Sequence, residues 1–195
     1  MMQRWPARQK MRAAVAGAIF MVMAAGGAAC AADLARGDRR FVEEAVQASA
    51  FVVEASRLAV TDAAHGDVRR FAARTVDAQT GLSQQLKALA SAKGVKLRTD
   101  FKRGQQRTLE RLRDDQGLKF DQRYVQKVAI GAYKESVKLF DDQARHGEDP
   151  ELAALARRTL PALQARLEAG KDLRGAVAAA SEQAALTGAV GDRSD

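Results

Sequence analysis

Residues 41–94 read FVEEAVQASAFVVEASRLAVTDAAHGDVRRFAARTVDAQTGLSQQLKALASAKG, and the apolar positions among them recur with the period of a helix. From near Asp38, the residues Phe41, Ala45, Ala48, Val52, Ala55 and Ala59 form one stripe, which Phe51 and Leu58 widen. His65-Gly66 is the expected stop of this first long helix. Asp67 then supplies a cap for a second, whose Val68, Phe71, Ala72, Val76, Leu82, Leu86 and Leu89 make an apolar face that ends at Lys93-Gly94.

The same punctuation continues downstream, with no strand signal. Asp100 to Gln116 is a shorter amphipathic piece with Phe101, Leu109 and Leu112, closed by Gly117. A third long helix beginning near Phe120 or Asp121 carries Val125, Ala129, Ala132, Ser136, Val137, Phe140 and Ala144 as far as His146-Gly147. Asp149-Pro150-Glu151 restarts the chain with a capping side chain, a proline at the first helical position and an acid in the first turn. The last helix runs through Leu152, Ala156, Leu160, Leu163, Leu167 and Leu173 to about Leu186, with a bend expected at Pro161. Four helices of roughly 25 residues each span about 38 Å at 1.5 Å per residue. The stretch from Gly94 to Asp121 is long enough to travel back along such a bundle, whereas an antiparallel turn needs only a few residues. The expectation is therefore all-α: a ferritin-like four-helix bundle with a short extra connector helix.

Upstream, Arg4, Arg8, Lys10 and Arg12 precede an uncharged run from Ala13 to Ala32 with Ile19 to Met23 at its centre, the layout of an export signal. Small residues end the run, so cleavage is expected before Ala32 or Asp33. The division is then 1–32 signal peptide, 33–187 bundle domain and 188–195 disordered tail. Lacking leucine and rich in alanine and glycine, the run makes a poor retained anchor. Cys30, the only cysteine, is an alternative point of lipid attachment behind Ala28 and Ala29, with Gly27 standing where such signals carry a large aliphatic residue. The chain has 32 basic and 24 acidic residues, but all four charges before Asp33 are basic, so removing the signal halves the net +8 and the case for nucleic acid with it. The remaining charges, as in Arg107, Glu110, Arg111, Arg113, Asp114 and Asp115, are interspersed as on a solvated face.

Phe51, Glu54, Leu58 and Ala59, then Val68, Phe71, Ala72 and Asp77, then Phe120, Asp121, Tyr124, Leu139 and Phe140, and finally Leu160, Pro161, Leu163 and Leu167 follow one another in a characteristic order and spacing. From about Asp38 to Leu173 the chain thereby resembles an exported bacterial ferritin-like family of unknown function, numbered four-one-four-two. Some of its members carry an outer-membrane label. The resemblance implies a bundle in the periplasm or envelope without an established activity. It also implies histidines at three places that read Gln79, Tyr133 and Arg166 here.

Spacing alone turns these three inward: Gln79 is three residues from Val76 and Leu82, Tyr133 four from Ala129 and Val137, and Arg166 three from Leu163. A guanidinium that keeps its proton repels a dication and attracts a carboxylate. The sequence thus predicts an interior polar cluster of Glu54, Asp77, Gln79, Tyr133, Glu135 and Arg166, with Arg166 paired to Glu54 or Asp77 where relatives hold a ligand. The alternative is an Arg166 stem laid along the core with its charge in water, and acids on solvated faces.

No metal, cofactor or catalytic residue is expected. The Glu-x-x-His pairs of di-iron bundles are missing. Asp62-Ala63-Ala64-His65 is the nearest imitation, and His65 and His146, each followed by glycine, read as carbonyl-capping residues of a last turn. There is no glycine-rich phosphate loop, nucleophile elbow or spare thiol, and Ser49, Ser56, Ser83 and Ser136 sit in helices among alanines, where small residues allow close packing. Two functional classes follow. One is a non-catalytic periplasmic or envelope bundle that binds an unidentified partner or contributes to stress tolerance. The other holds a metal or small ligand through Glu54, Asp77 and Tyr133. A further variant is tethered to the envelope through a lipidated Cys30, the one route by which membrane attachment is expected.

Overall fold

The computed structural model describes residues 34–98 and 100–191; the expected signal peptide, its cleavage point, Cys30 and residues 192–195 lie outside them. The described residues are helical, with no strand among them. α1 (Arg36–Asp62) and α2 (Gly66–Ala92) form a hairpin, and α3 (Arg103–Asp114) is the connector. α4 (Gly117–Tyr124), a π-helical segment (Val125–Ala132) and α5 (Tyr133–His146) follow without a break as the third long helix, and α6 (Pro150–Gly191) is the fourth.

Side-chain meetings fix the directions. α1 runs antiparallel to the third helix, because Phe41 at its start meets Phe140 with ring centroids 5.1 Å apart, while Ser56 near its end meets Tyr124. α2 runs parallel to the third helix, since Phe71 meets Tyr124 and, further along, Gln79 meets Tyr133. Parallel neighbours cannot be joined by a tight turn. The chain returns along the bundle instead, and α3 lies against α1, with Phe101 edge-on to Phe51 at 6.4 Å and Arg113 reaching Glu54. The crossover read from the length of the connector is how the helices are joined.

Two glycines make the corners of that crossing. Gly94, at φ 66°, follows α2 where the Val95 amide bonds back to the Ala90 carbonyl at 2.8 Å, and Gly117, at φ 59°, turns the chain from α3 into α4. The third helix accordingly starts at Gly117, ahead of the expected Phe120.

Two further expectations are corrected. α1 ends at Asp62, and His65 does not cap its carbonyls: the His65 ring accepts the Asp67 amide at 3.1 Å and so begins α2. α6 continues past Leu186 to Gly191; within its alanine-rich end Val177 is still buried in the core and Ser181 accepts from Gln122 of α4 at 3.1 Å. Pro161 lies inside this helix, with its ring exposed on the solvent side, where the loss of one backbone bond is least costly.

Candidate functional site

The chain's only tyrosines, Tyr124 and Tyr133, are both fully buried. Nine positions apart, they would point to opposite faces of an α-helix, about two and a half turns along. The π-helical segment between them reaches to the fifth residue in each turn, winds less per residue and takes up the half turn. Both rings therefore face Phe71 of α2, each edge-on at 6.4 Å. Tyr124 stacks on Phe120 as well, one turn earlier.

Each phenol has a polar partner from a different helix. Tyr124 Oη lies 2.8 Å from Ser56 Oγ of α1, and Gln79 Nε2 of α2 donates to Tyr133 Oη at 3.3 Å. Thr75, one turn before Gln79 and fully buried, places its hydroxyl beside both phenols without hydrogen-bond geometry to either. Burial pushes both phenol pKa values above the usual 10.0, against the hydrogen bonds between Ser56 and Tyr124 and from Gln79 to Tyr133, which pull them down. The result is a neutral hydrogen-bonded layer closed by aromatic rings.

Of the predicted cluster, Gln79 and Tyr133 meet inside the bundle and Arg166 reaches its edge. Arg166 does not pair with Glu54 or Asp77: its guanidinium donates to the Arg74 carbonyl at 3.2 Å, half-buried between α6 and α2. Glu54 is taken by Arg113 of the connector at 3.3 Å, and Asp77 and Glu135 are exposed. The reason is common to all three acids. Each stands two positions from a buried residue (Glu54 from Ser56, Asp77 from Thr75 and Gln79, Glu135 from Tyr133), and two positions are about 200° of helix, hence the opposite face. Ser56, Thr75 and Tyr124 complete the layer without having been assigned to it from the sequence.

Three buried carboxylates were also overlooked as such, and one of them, Asp115, read as part of a solvated face, is 7% exposed and paired with Arg123 and Lys119. Asp38, 2% exposed, accepts from Gln143 Nε2 at 2.6 Å and from the Asp149 amide at 2.8 Å, fastening the α5–α6 turn to the start of α1. Asp121, fully buried, accepts from the Ala64 and His65 amides at 3.1 and 2.7 Å, fastening the α1–α2 turn to α4. The signal was available: Asp38 falls in register with Phe41, Val42 and Ala45, and Asp121 with Tyr124, Val125 and Val128.

By its architecture the chain is an all-α helical bundle with a hydrogen-bonded, uncharged polar layer inside. The particular family is defined by sequence: the chain belongs to the family described as Domain of unknown function (DUF4142), which matches residues 23–173. No curated protein matches it. Among solved structures it is similar to CopM in the Cu(I)-bound form, with a TM-score of 0.59 and 17% identity over 69% of this chain and 93% of that one. It is similar also to CopM in the Cu(II)-bound form, with a TM-score of 0.61 and 16% identity over 71% of this chain and 95% of that one. A third, CopM in its Ag-bound form, gives a TM-score of 0.56 at 17% identity over 69% and 93% of the two chains. At such identity the likeness speaks for the fold alone.

The donors among the described residues do not fit a copper(I) or silver ion, which favour thiolate and thioether ligands. All five methionines and the single cysteine precede Ala31. His65 and His146 sit by opposite ends of the third helix, about 35 Å apart by helical rise. Among the described residues no three His, Cys, Asp or Glu side chains converge on one point.

Proposed function

We propose that this chain is an exported, non-catalytic envelope protein that acts through its surface, with the polar layer inside serving to fasten the helices. The observation that carries this reading is the pairing of Tyr124 with Ser56 and Tyr133 with Gln79 at the level where a bundle would place ligands. Side chains that face one another there are neutral at physiological pH, while Asp77 and Glu135 are exposed and Glu54, half-buried, is taken by Arg113. The basic start and uncharged run of residues 1–32 support export, and no helix among the described residues is long and apolar enough to cross a membrane.

A second reading, that the bundle holds a metal or small ligand, is favoured by the likeness to CopM in its copper- and silver-bound forms. Here it would draw on the outward acids Glu54 and Asp77. Metal analysis of the mature protein separates the two. The first reading expects no stoichiometric iron, zinc or copper; a stoichiometric metal that disappears in Glu54→Ala overturns it. Mass spectrometry of the mature amino terminus locates the protein: a start at Ala32 or Asp33 is a free species, and an acylated Cys30 a tethered one.

A further inference from the structure

The connector and the third helix bring four cations together. Arg107 and Arg111 lie one turn apart on α3, Arg123 and Lys127 one turn apart on the third helix, and with Gly104 and Thr108 they line a cleft of about 210 Å³. None of the lining residues is acidic. Arg123 is neutralised by Asp115, which Lys119 also contacts at 3.0 Å. Arg107, Arg111 and Lys127 make no ion pair among the described residues. The Thr108 hydroxyl donates to the Gly104 carbonyl at 2.9 Å and is not free to donate to a ligand. Recognition in the cleft is therefore left to guanidinium and ammonium groups.

Like charges that face one another across a cleft repel, and an anion between them removes the repulsion. Guanidinium forks match the paired oxygens of a phosphate, and an ammonium supplies a point charge beside them. The volume selects for size, since sites for larger organic ligands begin near about 300 Å³. We propose that this cleft binds a compact phosphate group through Arg107, Arg111 and Lys127, supplied either by a free phosphate or by the headgroup of an anionic lipid.

The test uses the mature chain and a triple variant, Arg107→Gln, Arg111→Gln and Lys127→Gln. The control is Arg145→Gln, Arg158→Gln and Arg174→Gln, which removes the same charge from exposed positions elsewhere. Titration calorimetry with inorganic phosphate is one arm, and co-sedimentation with phosphatidylcholine vesicles containing or lacking phosphatidylglycerol is the other. Saturable binding is expected in at least one arm, weakened about tenfold or more in the cleft triple and nearly unchanged in the control. Phosphate binding assigns the free anion as the source, and binding that requires phosphatidylglycerol assigns the lipid. Should the cleft triple fold poorly, Arg111→Gln alone must show a partial loss in the same arm. No saturable binding in either arm, or an equal loss in the control, overturns the proposal.

Discussion

Replacing Asp121 with alanine removes both acceptors that hold the α1–α2 turn. The carboxylate takes the Ala64 amide at 3.1 Å and the His65 amide at 2.7 Å, and it is fully buried in the wild type. Hydrogen bonds to a charged partner contribute about 1.5–3 kcal/mol each. The two turn amides are only part-buried, so water recovers some of the loss, and the lower end of that range applies: about 3 kcal/mol in all. For a domain of this size each kcal/mol shifts Tm by about 2–4 °C, which places the alanine variant roughly 6–12 °C below wild type. Asp121→Asn keeps one acceptor oxygen and should lose about half as much. Urea unfolding is expected to move its midpoint with the slope unchanged, and amide exchange should rise at Ala64 and His65 before it rises elsewhere. An alanine variant within about 0.5 kcal/mol of wild type, or one with the two amides still protected, would refute the fastening role.

Gly170 and Gly175 provide an internal comparison within α6. A methyl group at Gly170 would collide with the backbone carbonyl of Ala129 on the third helix, whereas at Gly175 it would meet nothing within 4 Å. Gly170→Ala should therefore destabilise by about 1–3 kcal/mol despite the better propensity of alanine, and Gly175→Ala should stabilise by up to about 1 kcal/mol, both read from thermal unfolding. Arg166→Gln should cost less than about 1 kcal/mol in the same assay, because the side chain donates to one exposed carbonyl and holds no buried acid; a loss above about 3 kcal/mol would restore the interior ion pair. Burial alone would raise the Asp149 carboxyl, but the Lys93 ammonium and the Leu152 and Glu151 amides hold it below the usual range. A depressed folded-state pKa contributes stability above the unfolded value of about 3.9, and that stability is lost as pH falls further. Asp149→Asn should therefore flatten the decline in Tm below about pH 4.

Helix periodicity carried most of the fold. The stripes from Phe41 to Ala59 and from Val68 to Leu89 place α1 and α2, and the connector's length allows the parallel placement of α2 and the third helix that their side-chain meetings show. Spacing from apolar neighbours was enough to turn Gln79 and Tyr133 inward. What the sequence could not convey is the π-helical segment, because no residue pattern distinguishes it from α-helix, and without it Tyr124 stands on the far side from Tyr133. The acids failed for a different reason. Glu54, Asp77 and Glu135 share a level with buried residues but not a face, and level without angle misplaces a side chain by the width of the helix. Asp38 and Asp121, by contrast, sat on the stripes in plain register with their apolar neighbours.

With no other tyrosine in the chain, alkaline titration followed by tyrosinate absorbance reports on the inner layer alone. Both phenols are raised by burial, so the folded state holds their protons more tightly than the unfolded state; the stability they confer is complete below about pH 10 and falls as pH rises beyond it. The account predicts that neither ionises while the helices are intact, and that both ionise together as helicity is lost. A phenol that titrates near pH 10 in the folded protein, with its helical signal unchanged, would contradict it.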